Sequence, residues 1–224
     1  MSNILTKPNS KPNSKPSKID IANLETGDLL LFTNKSSGLM GLFTSMIRWA
    51  THSNYTHTAI VLKDPDFIDP PLKGTYIWES GWEGTPDPQD GKVKLGVQIT
   101  AIETVVKEYS KIGHIYLRKL KTEKSKAQIF NTDTLKKIHK IVYDKPYDIV
   151  PLDWIEAFFQ KDLNPQKITR FWCSAFVSYV YTKCGLLDPN TDWTIVPPYA
   201  FALSSENLKF TEGNSLGNCE SRIL

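Results

Sequence analysis

The chain has 224 residues, 40% of them apolar and 23% charged, which suits one domain with a full hydrophobic core and is crowded for two. This composition excludes a fibrous or wholly disordered protein, and no run approaches the ~18 consecutive apolar residues of a membrane helix. The net charge of +3 belongs to the first 18 residues, where Lys7, Lys11, Lys15 and Lys18 stand without an acid. The remainder is near neutral and gives no electrostatic argument for nucleic-acid binding.

Residues 7–18 repeat Lys-Pro-Asn-Ser, Lys-Pro-Asn-Ser, Lys-Pro-Ser-Lys and cannot bury apolar area, so a disordered, extended tail is expected over 1–20. The tail has no apolar stretch of the kind a signal peptide needs. The expectation is therefore a reducing location, cytoplasmic or within a virion. The globular domain is expected over 21–210. A turn at Thr26-Gly27-Asp28 leads into a short apolar strand at 29–32. Leu39, Leu42, Phe43, Met46, Ile47 and Ala50 then recur at helical spacing. Residues 55–62 alternate as a strand, with His57, Ala59 and Val61 on one face and Thr58, Ile60 and Leu62 on the other. A strand at 75–80 puts Glu79 on the face of Thr75 and Ile77. The Pro/Gly/Asp-rich stretch 81–91 is a loop. Val93, Leu95, Val97 and Ile99 predict a further strand, 101–109 a helix, 114–120 a strand, and Leu135, Ile138 and Val142 a helix. After a turn at Lys145-Pro146, a short helix is expected at 152–159. Phe176, Val177, Val180, Tyr181 and Cys184 mark a helix closed by Gly185. Residues 193–198 read as extended and 211–224 as a loose tail. Strands and helices without strict alternation indicate an α+β domain.

Three cysteines, an odd and sparse number, argue against a disulfide framework. Cys173 and Cys184 fall on one predicted helix, roughly 16 Å apart at ~1.5 Å per residue, too far to bridge. Cys173 stands where a loop becomes a helix, just after Phe171-Trp172. The positive end of a helix dipole favours a thiolate, the nucleophilic form of the side chain. The competing reading is a buried structural cysteine. His57 interrupts an apolar strand face and is either a satisfied core histidine or a general base. Glu79, on the next strand, either orients that imidazole or is a surface carboxylate at a sheet edge. A zinc set of His52, His57, Glu79 and Cys173 matches no compact zinc spacing. His114 and His139 fit ordinary strand and helix patterns. No phosphate loop or dinucleotide fingerprint is present, so no cofactor and no metal are expected.

Gly27-Asp28-Leu29-Leu30-Leu31-Phe32, Tyr55-Thr56-His57-Thr58-Ala59-Ile60-Val61, Trp78-Glu79-Ser80, Lys145-Pro146-Tyr147-Asp148 and Trp172-Cys173-Ser174-Ala175-Phe176-Val177 together resemble the permuted NlpC/P60 papain-like proteins. The likeness is to the YiiX/YaeF-like amidase branch, which includes a group of poxvirus virion proteins. It implies a circularly permuted papain-like fold, with a small antiparallel sheet packed against the cysteine helix. It also implies Cys173 as nucleophile, His57 as base and Glu79 as orienting residue, in that permuted chain order of His, Glu and Cys. Tyr55, Asp148 and Trp172 would lie at the substrate. The implied activity is hydrolysis of an amide or ester in a peptide or lipid through a Cys173 acyl-enzyme. Lipid-directed acyl transfer is an alternative, with peripheral membrane contact through Leu39, Phe43 and Trp49. A non-enzymatic structural or binding module is another.

Overall fold

A computed structural model describes residues 21–34, 54–148, 168–205 and 208–223. The tail over 1–20, the helices expected at 39–50 and 152–159, and His52 lie outside the described residues. The centre of the fold is a six-stranded antiparallel sheet in the order β4-β3-β2-β1-β5-β8. Its strands are β1 (Leu29–Asn34), β2 (Tyr55–Lys63), β3 (Thr75–Gly81), β4 (Gly96–Ala101), β5 (Gly113–Arg118) and β8 (Ser221–Arg222). A second, two-stranded sheet pairs β6 (Leu120–Thr122) with β7 (Asn214–Leu216).

Both faces of the main sheet are buried, which is why its strands are apolar at odd and even positions alike. Leu29, Leu31, Ile60, Leu62, Trp78, Val97 and Ile99 belong to one core. Leu30, Phe32, Ala59, Val61, Ile77, Ile115 and Leu117 belong to the other. Helix α1 (Ile102–Ile112) covers the second face with Ile102, Val105 and Tyr109. The first face is covered by α3 (Thr132–Val142), through Leu135, Ile138 and Val142, and by α4 (Cys173–Lys183). A short helix, α2 (Lys126–Ile129), precedes α3 and is closed by a Ser125–Gln128 capping box. Every residue of α4 from Cys173 to Tyr181 is buried, as befits a helix enclosed on all sides. Gly185, at φ +73°, stops it: its N–H donates to Thr182 O and that of Leu186 to Tyr181 O, the paired bonds of a Schellman end.

Four expectations need correction. The fourth strand begins at Gly96, not Val93, because Lys94 turns its ammonium inward to Asp87 at 3.0 Å and Asp90 at 2.8 Å. Val93 and Leu95 are consequently exposed. The strand at 114–120 is interrupted at Lys119, whose Nζ reaches the buried Asp28 at 2.7 Å, and the chain changes sheets there. Residues 193–198 are not extended: Trp193–Ile195 and Pro198–Phe201 are 3-10 turns. Residues beyond Phe210 are not loose either. They form β7 and β8, and Ile223 is buried in the α1-side core. Alternation over so few residues is too short to read in a sequence.

Candidate active site

His57 and Glu79 meet across β2 and β3. Leu29↔Ile60 and Phe32↔His57 fix the register of β2 on β1, and Ile60↔Trp78 fixes that of β3 on β2. This brings Glu79 and His57 to the α1 side of the sheet, beside Phe32, whose ring centroid is 5.1 Å from that of His57. His57 Nε2 is hydrogen-bonded directly to Glu79 Oε2. The Glu79 side chain is fully buried and that of His57 is 12% exposed. Gly81 makes the diagonal contact possible. A Cβ there would stand 3.1 Å from His57 Cε1 and 3.2 Å from Glu79 Oε2, tighter than side chains ordinarily pack.

Cys173 is the first residue of α4 and is 3% exposed. The segment before it is fastened on two sides. Ser80 Oγ donates to Phe171 O at 2.6 Å, and the strip from Pro146 to Asp148 pairs with Phe171 in parallel. The sulfur meets the His57 ring, the backbone N–H groups of Thr58 and Ser174, and the side chain of Tyr147. With Nε2 committed to Glu79, Nδ1 is the nitrogen left for sulfur. Burial alone would push the Cys173 thiol up. The charge and hydrogen bond of His57, with the Thr58 and Ser174 amides, outweigh burial and hold it below its ordinary 9.0. Burial likewise pulls His57 down, but the charge and hydrogen bond of Cys173, then the charge of Glu83, hold it above 6.5. The pair is thus biased toward thiolate and imidazolium. Cys184, at the other end of α4, has no such neighbours, and burial pushes its thiol up to about 12.

The three residues expected at the substrate fall differently. Trp172 is the N-cap of α4, next to Cys173. Asp148 lies on the strip beside Phe171 and pairs with Arg170 Nε at 3.3 Å, while its neighbour Tyr147 is the residue that reaches the sulfur. Tyr55 packs in the core opposite His57. Its hydroxyl donates to Glu220 Oε2 at 2.6 Å, and its ring stacks edge-on against Tyr116. A bulge shifts the β1–β2 register between Phe32 and Thr33, so Tyr55 does not keep the face its spacing from His57 implies.

Sequence reasoning missed Tyr147 and Glu83. Glu83 stands on the loop after β3, and its carboxyl lies within 4.8 Å of that of Glu79. Burial, the largest influence on both, pushes each carboxyl up to about 8. Ligand-type atoms of His57, Glu79 and Glu83 lie within 4.8 Å of one another. Two of these atoms, Nε2 and Oε2, are engaged with each other. Cys173, His57, Glu79, Glu83 and Tyr147 form one contiguous polar group. Comparison with known proteins adds no family. No protein-family model and no curated protein matches the chain. Among the described residues, no helix is long and apolar enough to cross a membrane.

Proposed function

We propose that the protein is a cysteine hydrolase that cleaves an amide or ester through an acyl-enzyme on Cys173, on a permuted papain-like fold. The observation that carries this reading is the contact of a helix-N-terminal thiol with an imidazole whose far nitrogen is held by a buried carboxyl. Cys173 Sγ attacks the carbonyl carbon, and the π electrons move onto oxygen. Imidazolium His57 gives its proton to the departing amine or alcohol as the C–N or C–O bond breaks, leaving a thioester. Water then attacks the thioester, His57 takes its proton, and the C–S bond breaks to release acid and thiolate. Glu79 holds the ring so that one nitrogen faces sulfur in both halves of the cycle. First-turn amides of α4 are suited to the developing oxyanion. The reading implies a compartment that keeps thiols reduced, the cytoplasm or the interior of a virion.

A second reading has an acyl group passing to or from a lipid on the same thiolate. It is favoured by Trp82, Val93 and Leu95, all exposed on the loop that carries Glu83. Vesicle sedimentation separates the two readings, since a lipid-directed enzyme needs an apolar landing surface.

The test is the alkylation rate of each cysteine against pH, read by mass spectrometry in wild type and H57A. Cys173 should react fastest below neutral pH and lose about 100-fold in H57A, because the thiolate then lacks its counter-ion. C173A should abolish turnover of acyl esters. A Cys173 no more reactive than exposed Cys219, or full turnover by C173A, would leave the chain a binding module.

A further inference from the structure

We propose that Glu83 is a positioning residue of this site, holding one proton in common with Glu79 so that the two carboxyls present a single negative charge to His57. The inference rests on the Cys173–His57 reading above. Glu79 is fully buried; Oε2 faces the ring, and Oε1 has no hydrogen-bond partner among the described residues. A Glu83 carboxyl oxygen nevertheless lies within 4.8 Å of the Glu79 carboxyl. Two carboxyls this close, one of them fully buried, disfavour ionisation of both, and a proton on one lets it donate to the other.

Among the described residues, the surroundings offer no second positive charge. The groups acting on Glu83 are Glu79 on β3, His57 on β2 and Glu108 on α1, of which His57 alone can be cationic. Thr100 on β4 brings a neutral hydroxyl whose influence favours the ionised form of Glu79, and Tyr109 on α1 and Tyr147 are held protonated by burial and by the anions near them. Cys173, as thiolate, adds a further negative charge on the other side of the ring. Two ionised carboxyls and the thiolate against one imidazolium would leave two uncompensated negative charges, whereas a shared proton removes one of them. The elevated values of both acids agree with this arrangement.

The loop is constructed to keep Glu83 in place. Trp82 turns out to solvent and Glu83 turns in. Further along, buried Asp87 accepts from Gln89 N–H at 2.9 Å, from Lys94 Nζ at 3.0 Å and from Ile99 N–H at 3.3 Å.

The sign of the pH effect follows. Below the upper ionisation of the pair, one charge faces His57. Above it, the shared proton is lost, a second charge arrives, and imidazolium and thiolate are both favoured. In wild type, Cys173 alkylation should therefore show an additional rising step as pH passes the upper value of the pair. E83Q supplies a permanent N–H donor to Glu79 and cannot lose it, so that step should vanish. We expect E83Q to lower the neutral-pH rate about threefold and E83A about tenfold.

Infrared difference spectroscopy on the same proteins reads the proton directly. A protonated carboxyl band should persist at neutral pH in wild type, be missing in E83Q, and return in E83D. Absence of that band in wild type, an E83Q profile that superimposes on wild type, or a bound divalent cation found by native mass spectrometry would overturn the proposal. Unchanged Cys173 reactivity in H57A would instead sink the hydrolase reading, while the band would still decide the carboxyl pair.

Discussion

A methyl group on residue 81 would press on both His57 Cε1 and Glu79 Oε2. In most strands replacing glycine by alanine is neutral or mildly stabilising, because it restricts the unfolded chain. Gly81→Ala should therefore leave stability within about 1 kcal/mol of wild type in urea titration. The alkylation rate of Cys173 should fall about tenfold, since the ring must shift to relieve the contact. A loss of folding with no selective loss of reactivity would show that Gly81 serves the sheet and not the site. At this scale the sequence was informative where a residue breaks its own pattern. His57 and Glu79 are polar on apolar strand faces, and Cys173 opens an apolar helix. It was silent where position depends on a neighbouring strand. Tyr55 changes face at a bulge, and Tyr147 reaches the sulfur that a motif would have assigned to Asp148's vicinity. Glu83 sits in a loop rich in acids, and nothing in its local pattern distinguishes it from Asp87 or Asp90.

Among the elements, α4 and the loop after β3 have opposite characters. The helix was legible throughout: its apolar residues fall at helical spacing, and Gly185 ends it with two backbone bonds. Its two cysteines experience different surroundings for a simple reason. One lies at the end where N–H groups converge and the other where carbonyls do. The loop has no periodicity, and its order comes from a buried ion cluster. Asp87 is 1% exposed and the Lys94 side chain 7%. Removing one partner of such a pair leaves the other buried and only partly matched. Asp87→Ala should cost about 3 kcal/mol in urea unfolding, with Asp90 keeping part of the Lys94 interaction. It should also weaken the pH signature assigned to Glu83, because the loop that presents Glu83 would lose its anchor. Retention of wild-type stability would mean that Asp90 alone suffices.

For the whole molecule, the consequential misreading concerned the last residues. Their sequence has no long apolar run, yet Arg222 pairs with Tyr116, Ile223 enters the α1-side core, and Glu220 accepts from Tyr55 and from Leu203 N–H. These contacts span almost the entire described chain, and no local window contains them. Ile223→Ala should destabilise the protein by about 3 kcal/mol, as for other large-to-small changes in a packed core. A shift below about 0.5 kcal/mol would mean that the C-terminal strand rests on the sheet without supporting it. The α+β class was legible because alternation and helical spacing recur along the chain. The order of the strands was not, since pairing β5 with β1 and β8 is a matter of long-range contact.

The outer margin of the sheet at β4 has a bearing on how substrates can approach. Of the strand's outward amides, Val97 N–H donates to Lys145 O and Ile99 N–H to Asp87 Oδ2. Two of the amides through which an extended peptide would add itself to that margin are therefore already taken. Recognition by strand addition is disfavoured along β4. If the substrate is a polypeptide, its grip at Cys173 is to be sought in contacts other than strand addition to β4.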